Sequence, residues 1–163
     1  MISRAAVFTG HRDVRDGHAA LISRRVLEVC NVVDEFVVGG ADGADTIALD
    51  AVCDLTASGA MAPHMVVIVP DFASSQSGRS RESTTRAVEL GAELIELRLG
   101  LTPLSYKSRN RAMVDRVGKV MRQNGYVGSL CLAYWNGIYR SGTYHAISYS
   151  ESLCIPISYV VDR

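Results

Sequence analysis

The chain has 163 residues, 48% of them apolar, with seventeen Lys and Arg balancing seventeen Asp and Glu. That length suits a single domain, 1–163; the apolar content excludes a disordered chain, and no apolar run reaches the ~18 residues of a membrane span. Zero net charge excludes a global field that would draw the chain to nucleic acid or to an anionic membrane, and leaves only a local basic patch for such contacts.

The first predicted strand, residues 5–9, is too short for a signal-peptide core, so the chain is expected to stay in the cytoplasm. A helix over 19–33, a strand at 35–38, a helix over 44–57 and a strand at 65–69 follow. The last of these is apolar at every position from Met65 to Val69, as befits a strand covered on both faces. Residues 73–86, rich in Ser, Thr and Arg, read either as a lid or as a solvated loop leading into a helix over 81–90. A strand at 94–97 comes next, then an irregular stretch at Thr102-Pro103-Leu104, a helix over 109–123, a strand at 129–134, a helix over 144–153 and a strand at 155–161. Strict alternation of this kind favours parallel strands joined by right-handed crossovers. The predicted fold class is therefore α/β, a Rossmann-like, doubly wound, mainly parallel sheet with helices on both faces. Cys30, Cys53, Cys131 and Cys154 are widely spaced among apolar neighbours, with no metal-ligand spacing. They read as small core residues, and no residue suggests a metal.

In an open parallel sheet the binding crevice lies beyond the carboxyl ends of the strands. Three segments occupy that place: Thr9-Gly10-His11-Arg12-Asp13, Gly39-Gly40-Ala41-Asp42-Gly43-Ala44-Asp45, and Trp135-Asn136-Gly137 with Ser141-Gly142-Thr143. The second has three glycines between a buried strand and a helix, so the backbone can approach a ligand and helix-terminal amides can hold an anion. A purely structural strand-to-helix turn explains the same glycines equally well. It has neither the Gly-Lys-Ser/Thr ending of a Walker loop nor a GxGxxG pattern. Ser141, Gly142 and Thr143 suit a second helix N-terminus, where an ordinary Ser or Thr cap is the commoner reason for such residues. Arg109 can fork onto a phosphate or carboxylate. Arg12 and His11 directly follow the first strand, and Asp42 and Asp45 suit a ribose hydroxyl, a metal or a plain turn. His64 and His145 read as scaffold or surface. Tyr134 and Trp135 read as core.

In order and spacing these segments, together with Arg109-Asn110-Arg111-Ala112-Met113-Val114-Asp115, resemble the SLOG superfamily over nearly the whole chain. That superfamily takes in the lonely-guy (LOG) phosphoribohydrolases, the DNA-processing Smf proteins and nucleotide-sensing domains of bacterial and phage conflict systems. The Thr-Gly-His-Arg opening is closest to its small stand-alone bacterial members. The resemblance implies a Rossmann-like fold that binds a nucleoside monophosphate, NAD or an ADP-ribose-like ligand through Gly10, Arg12, Gly39, Gly40, Gly43, Asp45, Arg109, Ser141, Gly142 and Thr143. It also implies a homodimer and requires no further cofactor. Arg109 matches the arginine of the LOG Arg-Lys-x-x-Met segment, with Asn110 in place of the lysine. The LOG Gly-Thr-x-x-Glu motif, however, ends here at Ala146, so its catalytic glutamate is missing.

That departure makes binding without turnover the leading expectation, for sensing or sequestering a nucleotide. One alternative is a LOG-like nucleotide N-glycosidase in which Asp45, Asp115, Glu82 or His145 replaces the glutamate. A second alternative is an Smf-like DNA-binding protein, with Arg79, Arg81 and Arg86 as a local basic patch.

Overall fold

The computed structural model describes residues 1–125 and 127–162. Six strands run through these residues: β1 (Ala5–Gly10), β2 (Glu35–Val38), β3 (His64–Val69), β4 (Glu93–Glu96), β5 (Leu130–Tyr134) and β6 (Ile157–Tyr159). They alternate with helices α1 (His18–Cys30), α2 (Ala44–Ala57), α3 (Gly78–Glu89), α4 (Pro103–Gln123) and α5 (Gly142–Ser152). All adjacent strands pair in parallel, in the order β4-β3-β2-β1-β5-β6. The chain therefore builds outward from β1 in one direction as far as β4, then returns to the other side of β1 with β5. This is the doubly wound Rossmann-like α/β architecture that the alternation predicts, and its strand order reverses between β1 and β5.

The alternation of side chains along each strand divides the core in two. Ala6 and Phe8 of β1, with Phe36 of β2, face Ile22, Val26, Leu49, Val52 and Ala87 of α1, α2 and α3. Val7 and Val37 face the opposite way, onto Met113, Val117 and Ile147 of α4 and α5. Two-sided burial explains why the central strands carry almost no polar residue. No helix of the described residues is long and apolar enough to cross a membrane.

Several boundaries differ from the sequence-based expectation for local reasons. Helix α4 starts at Pro103 rather than at 109. The Thr102 hydroxyl accepts the Ser105 amide at 3.2 Å, the Thr102 amide donates to the Ser105 hydroxyl at 2.8 Å, and Pro103 supplies the first helical residue. The Thr-Pro-Leu stretch is thus a helix cap and not an interruption. The last strand is confined to Ile157–Tyr159. Cys30, Cys53 and Cys131 are core residues, as expected, and burial pushes their thiols up to about 12, about 11 and about 12. Cys154 is instead exposed, just beyond α5, in the left-handed region at φ 59°.

At the amino ends of the strands, opposite the crevice, Glu35 opens β2 at only 1% exposure. Its carboxylate is matched by Arg116 of α4, whose Nε and Nη2 donate to the two oxygens at 2.7 and 2.9 Å, while Nη1 and Nη2 also reach Glu93 of β4. Removing one member of a buried pair strands the other charge. Arg116→Met is expected to lower the unfolding free energy by roughly 3 kcal/mol, and Glu35→Gln added to it should recover much of that loss, as read by urea denaturation. An Arg116→Met variant as stable as the parent would show that the pair is dispensable.

Candidate functional site

The loop after β1 packs onto the start of α2, and this contact shapes the crevice. The Ala44 amide donates to the His11 carbonyl at 3.0 Å. Gly43, at φ 84°, passes so close to the Arg12 backbone that a Cβ there would collide with its carbonyl. At the other end of the same loop, the Tyr134 hydroxyl at the end of β5 hydrogen bonds with the Arg15 amide at 3.2 Å and with His18 Nδ1 at 2.8 Å. The loop is held from both sides over the point where the strand order reverses.

A cleft of about 380 Å³ opens there. Its lining combines Gly10, His11, Arg12 and Asp13 from the first loop, Asp45 from α2, Tyr106, Arg109 and Asn110 from α4, and Asn136, Gly142 and Thr143 from the β5–α5 region. Arg12, Ala41, Tyr106 and Arg109 also line a smaller recess of about 170 Å³, walled by Gly39, Gly40, Gln76 and Ser77. The Tyr106 ring meets both arginines, with guanidinium carbons 5.4 Å (Arg12) and 5.8 Å (Arg109) from its centroid. Cation–π attraction on this ring holds two like charges close together.

Arg109 is 8% exposed. Its Nη1 donates to the Gly39 carbonyl at 2.8 Å and its Nε to Asn110 Oδ1 at 2.9 Å, while Asn110 Nδ2 donates to the Gly142 carbonyl at 3.1 Å. A Cβ on Gly39 would strike the guanidinium. The space freed by that glycine is therefore filled by an arginine of the protein itself. Asp45, the second residue of α2, is 3% exposed; its Oδ2 accepts the Ala41 amide at 3.3 Å, and its buried Oδ1 has no partner. Burial raises the Asp45 carboxyl from the usual 3.8 to about 6, a rise moderated by the charges of Arg109 and Arg12 and by the Ala41 amide. Burial conversely lowers Arg109 from its ordinary value, with Asp45 acting against the fall. The anion position at the α2 N-terminus is thus partly occupied by the chain's own carboxyl.

The helix start at α5 is more open. Ser141 caps it, its hydroxyl accepting the Tyr144 amide at 3.1 Å, and the first-turn amides of Gly142 and Thr143 have no intrahelical acceptor. Of the residues singled out in the sequence, Gly10, Arg12, Asp45, Arg109, Gly142 and Thr143 line the main cleft, and Gly39 and Gly40 line the recess. Gly43 and Ser141 sit behind the lining as a loop contact and a cap. Asp42 accepts from the Ser77 hydroxyl at 2.9 Å, and Gln76 Nε2 donates to the Gly40 carbonyl at 2.6 Å. These bonds tie the Ser/Thr-rich segment to the second loop, where it forms the approach to α3 and not a detached lid. Sequence reasoning placed the Trp135-Asn136-Gly137 segment at the crevice, and Asn136 lines it, but missed Tyr106 and Ile138 as lining residues.

Among the four residues considered as substitutes for the LOG glutamate, Asp45 alone lines the cleft. Glu82 faces a groove between α2 and α3, Asp115 accepts from the Tyr149 hydroxyl, and His145 lies beside Lys107 and Arg111. Ala146 itself is fully buried against the core on the α4–α5 side, where a glutamate would point into apolar packing.

Charge is unevenly spread around this site. Lining the cleft, Arg12 and Arg109 stand against Asp13 and Asp45, but beside it Lys107, Arg111 and Arg140 are exposed, and residues 97–114 hold no acidic side chain. Arg79 and Arg86, considered as a basic patch, are instead paired with Asp50 at 3.3 Å and Asp54 at 2.7 Å. Beside the cleft, Trp135 stacks on Tyr144 with centroids 5.6 Å apart and meets Tyr139 edge-on at 5.2 Å. Tyr139 is 65% exposed. Trp135, Asn136 and Tyr139 line a further surface cleft of about 300 Å³ with Arg15, and Asn136 is common to this cleft and the main one.

No protein-family model and no curated protein matches the chain. Among solved structures it is similar to DNA processing protein A of Helicobacter pylori, described as having a single-stranded DNA binding mode. The TM-score is 0.70 at 15% identity, covering 99% of this chain and 67% of that one. It is also similar to DNA processing protein A of Streptococcus pneumoniae, with a TM-score of 0.55 at 12% identity, covering 95% of this chain and 58% of that one. The chain thus spans only part of either neighbour, and the likeness establishes a Rossmann-like fold.

The buried carboxyl makes a stability prediction. With its folded value raised above the unfolded one, Asp45 makes the folded state bind the extra proton between pH 3.8 and about 6, so stability falls as pH rises through that window. Above it the ionised group costs the fold roughly 3 kcal/mol, a cost that Asp45→Asn lacks. Melting curves should coincide near pH 4 and separate by pH 7, with Asp45→Asn higher by several degrees. Equal melting temperatures at pH 7 would show that the carboxyl carries no such cost.

Proposed function

We propose that the chain binds single-stranded DNA, seating the phosphate of one nucleotide between Arg12, Arg109 and the α5 N-terminus, with neighbouring nucleotides running over the α4–α5 face. The observation that carries this reading is the set of exposed cations at and beside the cleft, Arg12, Lys107, Arg111 and Arg140. A balanced chain whose acidic residues are nearly absent from one third of its length, residues 97–150, offers a strand a local positive face that net charge conceals. The exposed aromatic group beside the cleft adds what unpaired bases need. Base–aromatic stacking is sequence-tolerant and is worth about 1–3 kcal/mol per base. The fold likeness over nearly the full chain to a protein described as binding single-stranded DNA supports the same choice.

A free nucleotide is the second reading. It is favoured by the buried polar floor of the cleft, where Asp45 Oδ1 and His11 Nε2 both lack partners. A strand and a free nucleotide would use the same phosphate position and differ in whether the α4–α5 face contributes.

Trp135 is the single tryptophan, so intrinsic fluorescence reports on the aromatic cluster alone. Titration with a dT oligomer at low salt should quench it and raise the anisotropy of a labelled strand, with affinity falling steeply as salt increases. Arg12 is exposed and Arg111 lies on the α4 surface, so Arg12→Ala and Arg111→Ala should both fold and both weaken strand binding about three- to tenfold. If a nucleoside monophosphate binds as tightly as the strand and Arg111→Ala changes neither, the free-nucleotide reading replaces this one. Absence of binding by either probe would sink both.

A further inference from the structure

Resting on the reading of the cleft as a nucleotide site, we propose that Asp45 Oδ1 is its acceptor for a hydrogen-bond donor of the bound nucleotide, either a base N–H or a sugar hydroxyl. Arg12 and Arg109 hold the phosphate of the same nucleotide.

The atom itself makes the case. Asp45 is nine-tenths buried and more, lines the cleft, and leaves one carboxylate oxygen in no hydrogen bond. Buried carboxylate oxygens are ordinarily satisfied, because an unmet charged acceptor costs the folded state more than a neutral one. The protein meets the other oxygen with the Ala41 amide and brings the Gly10 amide and two arginine charges near the carboxyl, yet completes no hydrogen bond to the first. A phosphate is the wrong partner for it, since two anions would be brought together in a poorly solvated site. A donor is the right one. Arg109 spends two of its five donors on Gly39 and Asn110, which leaves others for a phosphate. His11 Nε2, also buried in the wall and without a partner, can accept or donate according to its tautomer. The floor thus combines cations for an anion with an acceptor for a donor, and phosphate alone cannot satisfy both. A nucleotide unit offers the two together.

The sign of the pH dependence separates this arrangement from phosphate binding alone. The groups facing Asp45 are Arg109 from α4 and His11, Arg12 and Asp13 from the loop after β1. The phosphodiesters of an oligonucleotide, and of a cyclic nucleotide, keep their charge from pH 5 to 8, and proton uptake by cytosine toward pH 5 affects the parent and Asp45→Asn alike. If a ligand donor meets Asp45, ionising the carboxyl strengthens the contact and binding tightens as pH rises through about 6. If only phosphate is near, ionisation repels it and binding weakens over the same range. His11 and His145 titrate in both the parent and Asp45→Asn, so the ratio of the two affinities isolates Asp45.

The experiment measures dissociation constants of the parent and Asp45→Asn from pH 5 to 7.5 for labelled oligo-dC, oligo-dT and oligo-rC, and for cyclic nucleotides by thermal shift. The expected result is that the parent gains roughly tenfold over Asp45→Asn between pH 5 and 7.5. A gain that differs between dC and dT assigns the donor to the base, and a gain confined to rC assigns it to the 2′-hydroxyl. A parent that loses affinity relative to Asp45→Asn as pH rises, or curves that stay parallel, would overturn the assignment while leaving strand binding intact. Loss of all binding in both proteins would overturn the cleft reading with it.

Discussion

The crevice depends on a guanidinium placed in the interior of the protein. Arg109 reaches from α4 under the end of β2, fills the space left by Gly39, bonds the carbonyl of that residue and passes a second bond to Asn110, which in turn holds the first residue of α5. Three elements that converge on the reversal of strand order are thereby fixed by one side chain and its neighbour. A buried cation needs compensation, and Asp45 offsets part of that cost electrostatically from the start of α2, with no direct ion pair between them. The two groups make each other's burial tolerable, and because neither is fully satisfied by the other, both retain bonding capacity facing the cleft.

This arrangement revises the view of the glycine-rich second loop as a bare phosphate cradle. Its glycines permit close approach, but what approaches is largely the protein itself: Arg109 at Gly39 and the Arg12 backbone at Gly43. The carboxyl of Asp45 occupies the favourable end of the α2 dipole. Favourable positions for an incoming anion therefore shift toward Arg12, the remaining donors of Arg109, and the α5 N-terminus opposite. The site is asymmetric, with an acceptor on one wall and donors on the other, which suits a ligand with two kinds of group better than a simple oxyanion.

Much of the framework was legible because its signals are local. Runs such as Met65 to Val69 and the periodic apolar positions Met113, Val114 and Val117 carry the strand and helix assignments on their own. The start of α4 was not legible as a helix because its capping pair is Thr102 with Ser105 in place of the more familiar Glu or Gln at the third position. That single boundary concealed Tyr106, which stands one helical turn before Arg109 and meets both arginines only if the helix has already begun. Cys154 was misplaced for a related reason, since its exposure follows from the positive φ of the turn that ends α5 and not from its apolar neighbours.

The charge of the chain teaches a further point about scale. A total of zero describes interactions at distances much longer than a domain, where opposite charges average out, but screening confines a bound strand to the field within about 8–10 Å. At that distance what matters is which face each charge occupies. Arg79 and Arg86 sit opposite Asp50 and Asp54, respectively, and their field is largely cancelled. Lys107, Arg111 and Arg140 lie on a stretch that has Asp115 as its one carboxylate, itself hydrogen-bonded to Tyr149. Arg79 and Arg86, which catch the eye in the sequence, are thus spent on a neighbouring helix, whereas Lys107 and Arg111, one turn apart on α4, both lie near His145 of α5.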